Sequence, residues 1–222
     1  SEALDLVMRA ILAPGDDVLI PEPCYVSSQA CTILAGGKPV AVPAKIENEF
    51  RITPDELEEH VTPKTKALLI GYPNNPTGAI MTRKDLLAIA AFAEKHDLIV
   101  ISDEIYGDLT YGGEKHVCFS SLPGQQERTI LLNGFSKAYA MTGWRIGYAL
   151  GNKAFISAMT KIHQYTMLCA PITAQIAAIE ALRHGEKYMK KMVAEYDRRR
   201  RLIYDGFTKM GLPCFEPKGA FY

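Results

Sequence analysis

Short apolar runs alternate with amphipathic stretches along the first two thirds of the chain. Leu4, Val7, Met8, Ile11 and Leu12 recur at helical spacing and stop at Pro14-Gly15. Val18 to Ile20 and Lys38 to Val42 read as strands, bounded by Gly15-Asp16-Asp17, Pro21 and Gly36-Gly37. Thr53-Pro54-Asp55-Glu56 has an N-cap, a proline at the first helical position and a capping-box acid, so a short helix starts there and ends before Thr62-Pro63. A buried-strand run, Ala67 to Ile70, leads into the loop Tyr72 to Gly78. Thr82 and Asp85 then open a helix through Leu86, Ile89, Ala90 and Ala93, and Leu98 to Ile101 is another strand. Strand, helix and strand at this spacing form a βαβ unit, which implies parallel pairing with a right-handed crossover. Thr129 to Leu132 and Ile146 to Leu150 add two strands. After Asn152 the chain is mostly helical, with one long helix predicted over 186–210. The fold class is α/β: a mostly parallel sheet flanked by helices in three layers.

Composition narrows the function. The 25 Lys+Arg balance 25 Asp+Glu, which argues against a general polyanion binder and gives no reason to expect nucleic acid as a partner. Arg198 to Arg201 lie inside the predicted long helix and read as a solvated face. No apolar run approaches membrane-span length, and no secretory signal opens the chain. Five cysteines are scattered without a C-x-x-C pair, so no disulfide framework or metal site is expected and a reducing, cytoplasmic setting fits. Ser1 opens directly into a helical pattern, and the chain ends in the apolar stretch Gly219 to Tyr222, so a fragment of a longer protein is expected.

In parallel sheets ligands gather at the C-terminal strand edges. Tyr25 follows the first strand, Asn75 the third and Asp103 the fourth, while Ser136 and Lys137 follow the fifth and Arg145 precedes the sixth. An amine here can form a Schiff base with an aldehyde, a carboxylate can pair with a protonated ring nitrogen, and an aromatic face can stack on a flat heterocycle. Arg145, Ser136 and the start of the first helix at Ser1-Glu2 can hold a phosphate. An aldehyde, a pyridine nitrogen and a phosphate together describe pyridoxal 5′-phosphate.

Order and spacing sharpen the reading. Pro73-Asn74-Asn75-Pro76-Thr77-Gly78, Ser102-Asp103-Glu104-Ile105-Tyr106 and Ser136-Lys137-Ala138-Tyr139-Ala140-Met141-Thr142-Gly143-Trp144-Arg145 occur in that order. Together they resemble the class I aminotransferases of PLP fold type I, in the aspartate and aromatic branch. Pro21 to Tyr25 is similar to that family's ring-stacking segment and Ser1 to Leu4 to the end of its phosphate loop.

The resemblance implies that Lys137 holds the cofactor covalently and moves the substrate proton, and that Asp103 faces the pyridine nitrogen. It implies that Tyr106 and Asn75 bond the ring's phenolic oxygen, that Tyr25 stacks, and that Ser136 and Arg145, with Ser1 and Glu2, bind phosphate. Gly134 departs from the pattern, since many relatives have a serine there. Cis peptides are expected before Pro23 and Pro76. Residues 1–190 would be a large domain lacking its N-terminal arm, and 191–222 an interdomain helix and the start of a small domain. The substrate-carboxylate arginine would lie beyond Tyr222. The implied reaction is amino transfer between an aspartate-type or aromatic amino acid and a 2-oxo acid such as 2-oxoglutarate, in a homodimer, with little turnover from the fragment alone. A C–S lyase, an aminocyclopropane-carboxylate synthase-like enzyme and the effector domain of a transcription regulator are the alternatives.

Overall fold

The computed structural model describes residues 1–222. Six strands form one sheet in the order β2-β1-β3-β4-β5-β6. They are β1 (Asp17–Glu22), β2 (Lys38–Pro43), β3 (Thr65–Gly71), β4 (Ile99–Asp103), β5 (Thr129–Gly134) and β6 (Gly147–Leu150). β1 to β5 pair parallel and β6 returns antiparallel to β5. The helices are α1 (Glu2–Ile11), α2 (Ser27–Leu34), α3 (Pro54–Glu58), α4 (Arg83–Lys95), α5 (Lys153–Thr166), α6 (Ile172–His184) and α7 (Glu186–Lys209). No helix is long and apolar enough to cross a membrane.

The alternation of side chains along each strand divides the core into two layers. Leu19, Leu68, Ile70 and Val100 join Leu57 of α3 and Leu86 and Ile89 of α4 on one face. Val18, Ile20, Leu69, Ile101 and Ile130 join Leu4, Val7 and Met8 of α1 and Met159 of α5 on the other. The same period fixes the end of β4. Asp103 shares the α1 face with Ile101, whereas Ser102 shares the α4 face with Val100.

The predicted capping box at Thr53 forms, and a second one opens the helix expected at Thr82. Thr53 Oγ1 accepts from Glu56 N while Glu56 accepts from Thr53 N, and Thr82 and Asp85 repeat the exchange. The long helix is continuous from Glu186 to Lys209. Its arginine run is not uniformly solvated. Arg198, Arg199 and Arg201 have side chains about three-fifths exposed, but Arg200 is only 11% exposed. Arg200 bonds Asp197, Glu216 and the Pro217 carbonyl and lies over the Tyr111 ring. A guanidinium with this many fixed acceptors can leave water, which the residue pattern alone does not reveal.

Arg200 thereby fastens the tail onto the body. Lys218 N and Gly219 N donate to the Gly78 carbonyl, and Ala220 N donates to the Leu109 carbonyl. The apolar C-terminal stretch finds its packing partners earlier in the chain, with Ala220 fully buried. A β-carbon on Gly219 would lie 2.4 Å from Pro73 Cβ. Gly219→Ala is therefore expected to destabilise the chain by about 1–3 kcal/mol, as overpacking does against a rigid ring, and urea melts compared with the parent measure it.

Candidate active site

The site is built from the C-terminal edges of β1, β3, β4 and β5. At β1 the chain leaves through a cis Glu22-Pro23 peptide and presents Tyr25. The Tyr25 hydroxyl meets Ser1 Oγ at 3.1 Å. Hydrogen bonds from Ser1 and Ser27, followed by the Lys137 ammonium nearby, hold this phenol below its usual range. At β3 the loop carries cis peptides before Pro73 and Pro76. The expected positions Pro23 and Pro76 are both cis, and Tyr72-Pro73 is a third such bond. Buried Asn74 knots this loop. Its Oδ1 accepts from Thr77 N at 3.1 Å and Thr77 Oγ1 at 2.8 Å, and its Nδ2 donates to the Pro23 carbonyl at 3.3 Å. Asn75 is half-buried, and its side-chain amide makes no hydrogen bond within the chain.

Asp103 closes β4 opposite Gly71 of β3 and Leu132 of β5. Its Oδ1 accepts from Ile105 N at 3.1 Å, and Oδ2 has no partner in the chain. Burial pushes this carboxyl up from its ordinary value, while the Ile105 N–H and the Lys137 charge pull the other way. Tyr106 is buried, and its hydroxyl lies 2.9 Å from the Tyr222 hydroxyl. Burial first, then Tyr222, Asp103 and Tyr25, raise its phenol well above the usual range. Lys137 is half-buried and forms no ion pair. Its Nζ sits 5.5 Å from the Tyr106 ring centroid and 5.1 Å from that of Phe221.

Ser1, Tyr25, Asp103, Tyr106 and Lys137 thus share one neighbourhood. Ser136 adjoins Lys137 and its hydroxyl makes no hydrogen bond within the chain. Arg145 reaches the same edge because β6 runs antiparallel: Gly147 faces Gly134, so the chain enters β6 beside the end of β5. Arg145 adopts a left-handed backbone (φ +50°) and its Nη1 donates to the Thr142 carbonyl at 2.7 Å, with the head exposed. Glu2 turns away, and its carboxylate meets His163 Nδ1 at 2.8 Å on α5. Its backbone N–H, with those of Ala3 and Leu4, is left over at the N-terminus of α1 because Ser1 makes no side-chain cap. Gly134 now has a packing reason: a β-carbon there would lie 3.0 Å from Gly147 Cα and 3.1 Å from the Ile146 carbonyl. Phe221 and Tyr222 join the site without having been singled out by the sequence, as does Asn74 in the loop beside Pro23.

A sequence model for "aminotransferase class I and II" matches residues 1–222. The chain belongs to this family. An aspartate aminotransferase of Pyrococcus abyssi is 50% identical over 224 residues, covering all of this chain and 58% of that protein. Aromatic-amino-acid aminotransferase 2 of Thermococcus litoralis is 48% identical, covering 97% of this chain and 56% of the relative. The crystal structure of an aromatic aminotransferase from Pyrococcus horikoshii superposes with a TM-score of 0.96 at 48% identity, over 99% of this chain and 59% of that one. The chain spans a little over half the length of these relatives.

Class I aminotransferases of the aspartate and aromatic type use pyridoxal phosphate. The groups left unpaired in this member of the family fit it. An amine without an ion pair, a half-buried carboxylate oxygen without a donor, a free hydroxyl at Ser136 and uncapped N–H groups on α1 are complementary to an aldehyde, a protonated ring nitrogen and a phosphate.

Proposed function

We propose that this chain is the cofactor-bearing part of an aminotransferase that moves an amino group between an aspartate-type or aromatic amino acid and a 2-oxo acid such as 2-oxoglutarate. The observation that carries this reading is the pairing of an ion-pair-free amine, Lys137, with the half-buried carboxyl of Asp103 at one sheet edge, within electrostatic reach of each other. Residues 1–190 are assigned to the large domain and 191–222 to an interdomain helix leading into a small domain.

Pyridoxal phosphate supplies an aldehyde that amines add to and a ring that accepts the electron pair released at the substrate Cα. Lys137 Nζ would hold the aldehyde carbon and would carry the proton to and from the substrate Cα as a general base and acid. Asp103 Oδ2 would hold a proton on the ring nitrogen through a charge-assisted hydrogen bond. Tyr25 would stack on the ring, and Tyr106 and Asn75 would donate to its phenolic oxygen. Ser136, Arg145, the Ser1 hydroxyl and the free backbone N–H of Glu2 at the start of α1 would grip the phosphate.

A homodimer is inferred as well. The support is the apolar surface left open on α6 and the turn before it, with Leu168, Ile172 and Ile176 each more than three-fifths exposed. A cytoplasmic setting agrees with five unpaired cysteines.

An amino-donor screen on the complete protein, with 2-oxoglutarate as acceptor, tests the reading. Glutamate is expected to accumulate from aspartate or an aromatic donor. Release of pyruvate and ammonia from cysteine, with no glutamate from any donor, would mark a lyase instead. The 222-residue chain by itself is expected to turn over poorly.

A further inference from the structure

Glu104 follows Asp103 directly and precedes Tyr106 by two residues, yet it plays no part in the chemistry above. It is only 3% exposed. Its N–H still bonds the Leu132 carbonyl at 2.9 Å, so it continues the alternation of β4 and enters the layer opposite Asp103, beside Ser102. There its carboxylate is fully engaged. Oε1 accepts from Ser102 Oγ at 3.0 Å and from Phe119 N at 2.9 Å, and Oε2 meets His116 Nε2 at 2.5 Å. His116 is the one basic side chain it meets. Burying a carboxylate is costly unless every acceptor is occupied, and here each is.

The backbone around it carries the two ring-facing groups. Gly107 N donates to the Glu104 carbonyl at 2.8 Å, Leu109 N to the Tyr106 carbonyl at 2.8 Å, and Ile105 N to Asp103 Oδ1 at 3.1 Å. Glu104 is the side chain that ties this turn to the segment beneath it. The His116 ring lies against the Gly107 backbone, and a β-carbon on Gly107 would come within 2.9 Å of His116 Cδ2. The turn is thus shaped to admit the imidazole.

We propose that Glu104 and His116 form a positioning unit for Asp103 and Tyr106: a buried carboxylate, closed by donors from β4 and from residues 116–119, that holds the turn bearing both groups at the cofactor ring. The inference rests on the reading of the site as a pyridoxal phosphate site. Neither residue touches the ring. Their effect passes through the placement of the Asp103 carboxylate and the Tyr106 hydroxyl, where displacements of a fraction of an ångström matter.

The test titrates cofactor-free protein with pyridoxal phosphate and follows the visible band of the Lys137-bound cofactor across pH, with circular dichroism to register the fold. The parent protein must form the band, and its absence there would remove the underlying reading rather than this one. Glu104→Leu and His116→Ala are expected to weaken cofactor affinity on the order of 10-fold, the effect typical of losing an outer partner at a bound site, and to shift the pH midpoint of the band. Glu104→Gln keeps an oxygen for Ser102 and Phe119 N and a donor for a neutral imidazole, so it is expected to stay within about 3-fold of the parent. Affinities and midpoints for the first two variants that match the parent overturn the proposal, as does a Gln variant as weak as the Leu variant. Should Glu104→Leu fail to fold, His116→Ala decides alone, because it removes one contact from a partly exposed residue.

Discussion

Lys137→Ala is expected to abolish the visible cofactor band and to lower amino transfer by on the order of 10⁴-fold or more, the scale seen when a group that is both covalent anchor and proton carrier is deleted. The fold should tolerate the change. Lys137 has no ion pair to lose, and its ammonium contacts with the Tyr106 and Phe221 rings, at 5.5 and 5.1 Å, are together a minor term of about 1 kcal/mol at a half-exposed position. Thermal melts of cofactor-free protein should therefore nearly coincide with the parent while activity vanishes. Lys137→Arg should be equally inactive, because a guanidinium keeps the charge but does not add to an aldehyde. A Lys137→Ala protein that still forms the band would place the anchoring amine elsewhere.

Asp103→Asn should lower amino transfer by on the order of 10²–10³-fold, as removal of a preorganised charge does. It should also make the cofactor-free protein more stable at neutral pH. The sign follows from the burial that raises this carboxyl above its ordinary value in the folded chain. The protonated form lends stability that is present below the unfolded-state value and is lost as pH rises through the folded-state value. Asparagine does not ionise and avoids that loss. Urea melts at about pH 3 should agree for the two proteins, and those at about pH 7 should favour the variant. Equal stabilities at both pH values would show that the carboxyl ionises at no cost.

Much of this arrangement is written in local sequence. The two capping boxes, at Thr53 and Thr82, and the apolar runs of β1 and β3 to β5 need only near neighbours to be read. Asp103, Lys137 and Tyr25 are legible because parallel strands deliver their C-terminal ends to one edge. What escapes is long-range. The Tyr106–Tyr222 contact joins positions 116 residues apart, and no period in either segment announces it. Arg200 differs from Arg198, Arg199 and Arg201 through acceptors at Glu216 and Pro217, which lie beyond the end of α7. Asn74 and Asn75 are chemically identical in sequence. The backbone of the loop assigns one to knot the chain and leaves the other's amide free.

The outer edge of the sheet at β2 carries a consequence for how molecules of this protein meet. Lys38 N and Ala44 N donate inward to β1, at the Asp16 and Glu22 carbonyls, so the even-numbered residues of β2 face their neighbour. Pro39, Ala41 and Pro43 then face outward, and two of those three lack an N–H. Along six residues the margin offers one donor, Ala41, to any incoming strand. Ladder growth from this side is chemically starved, which protects the protein against edge-to-edge aggregation without a covering loop.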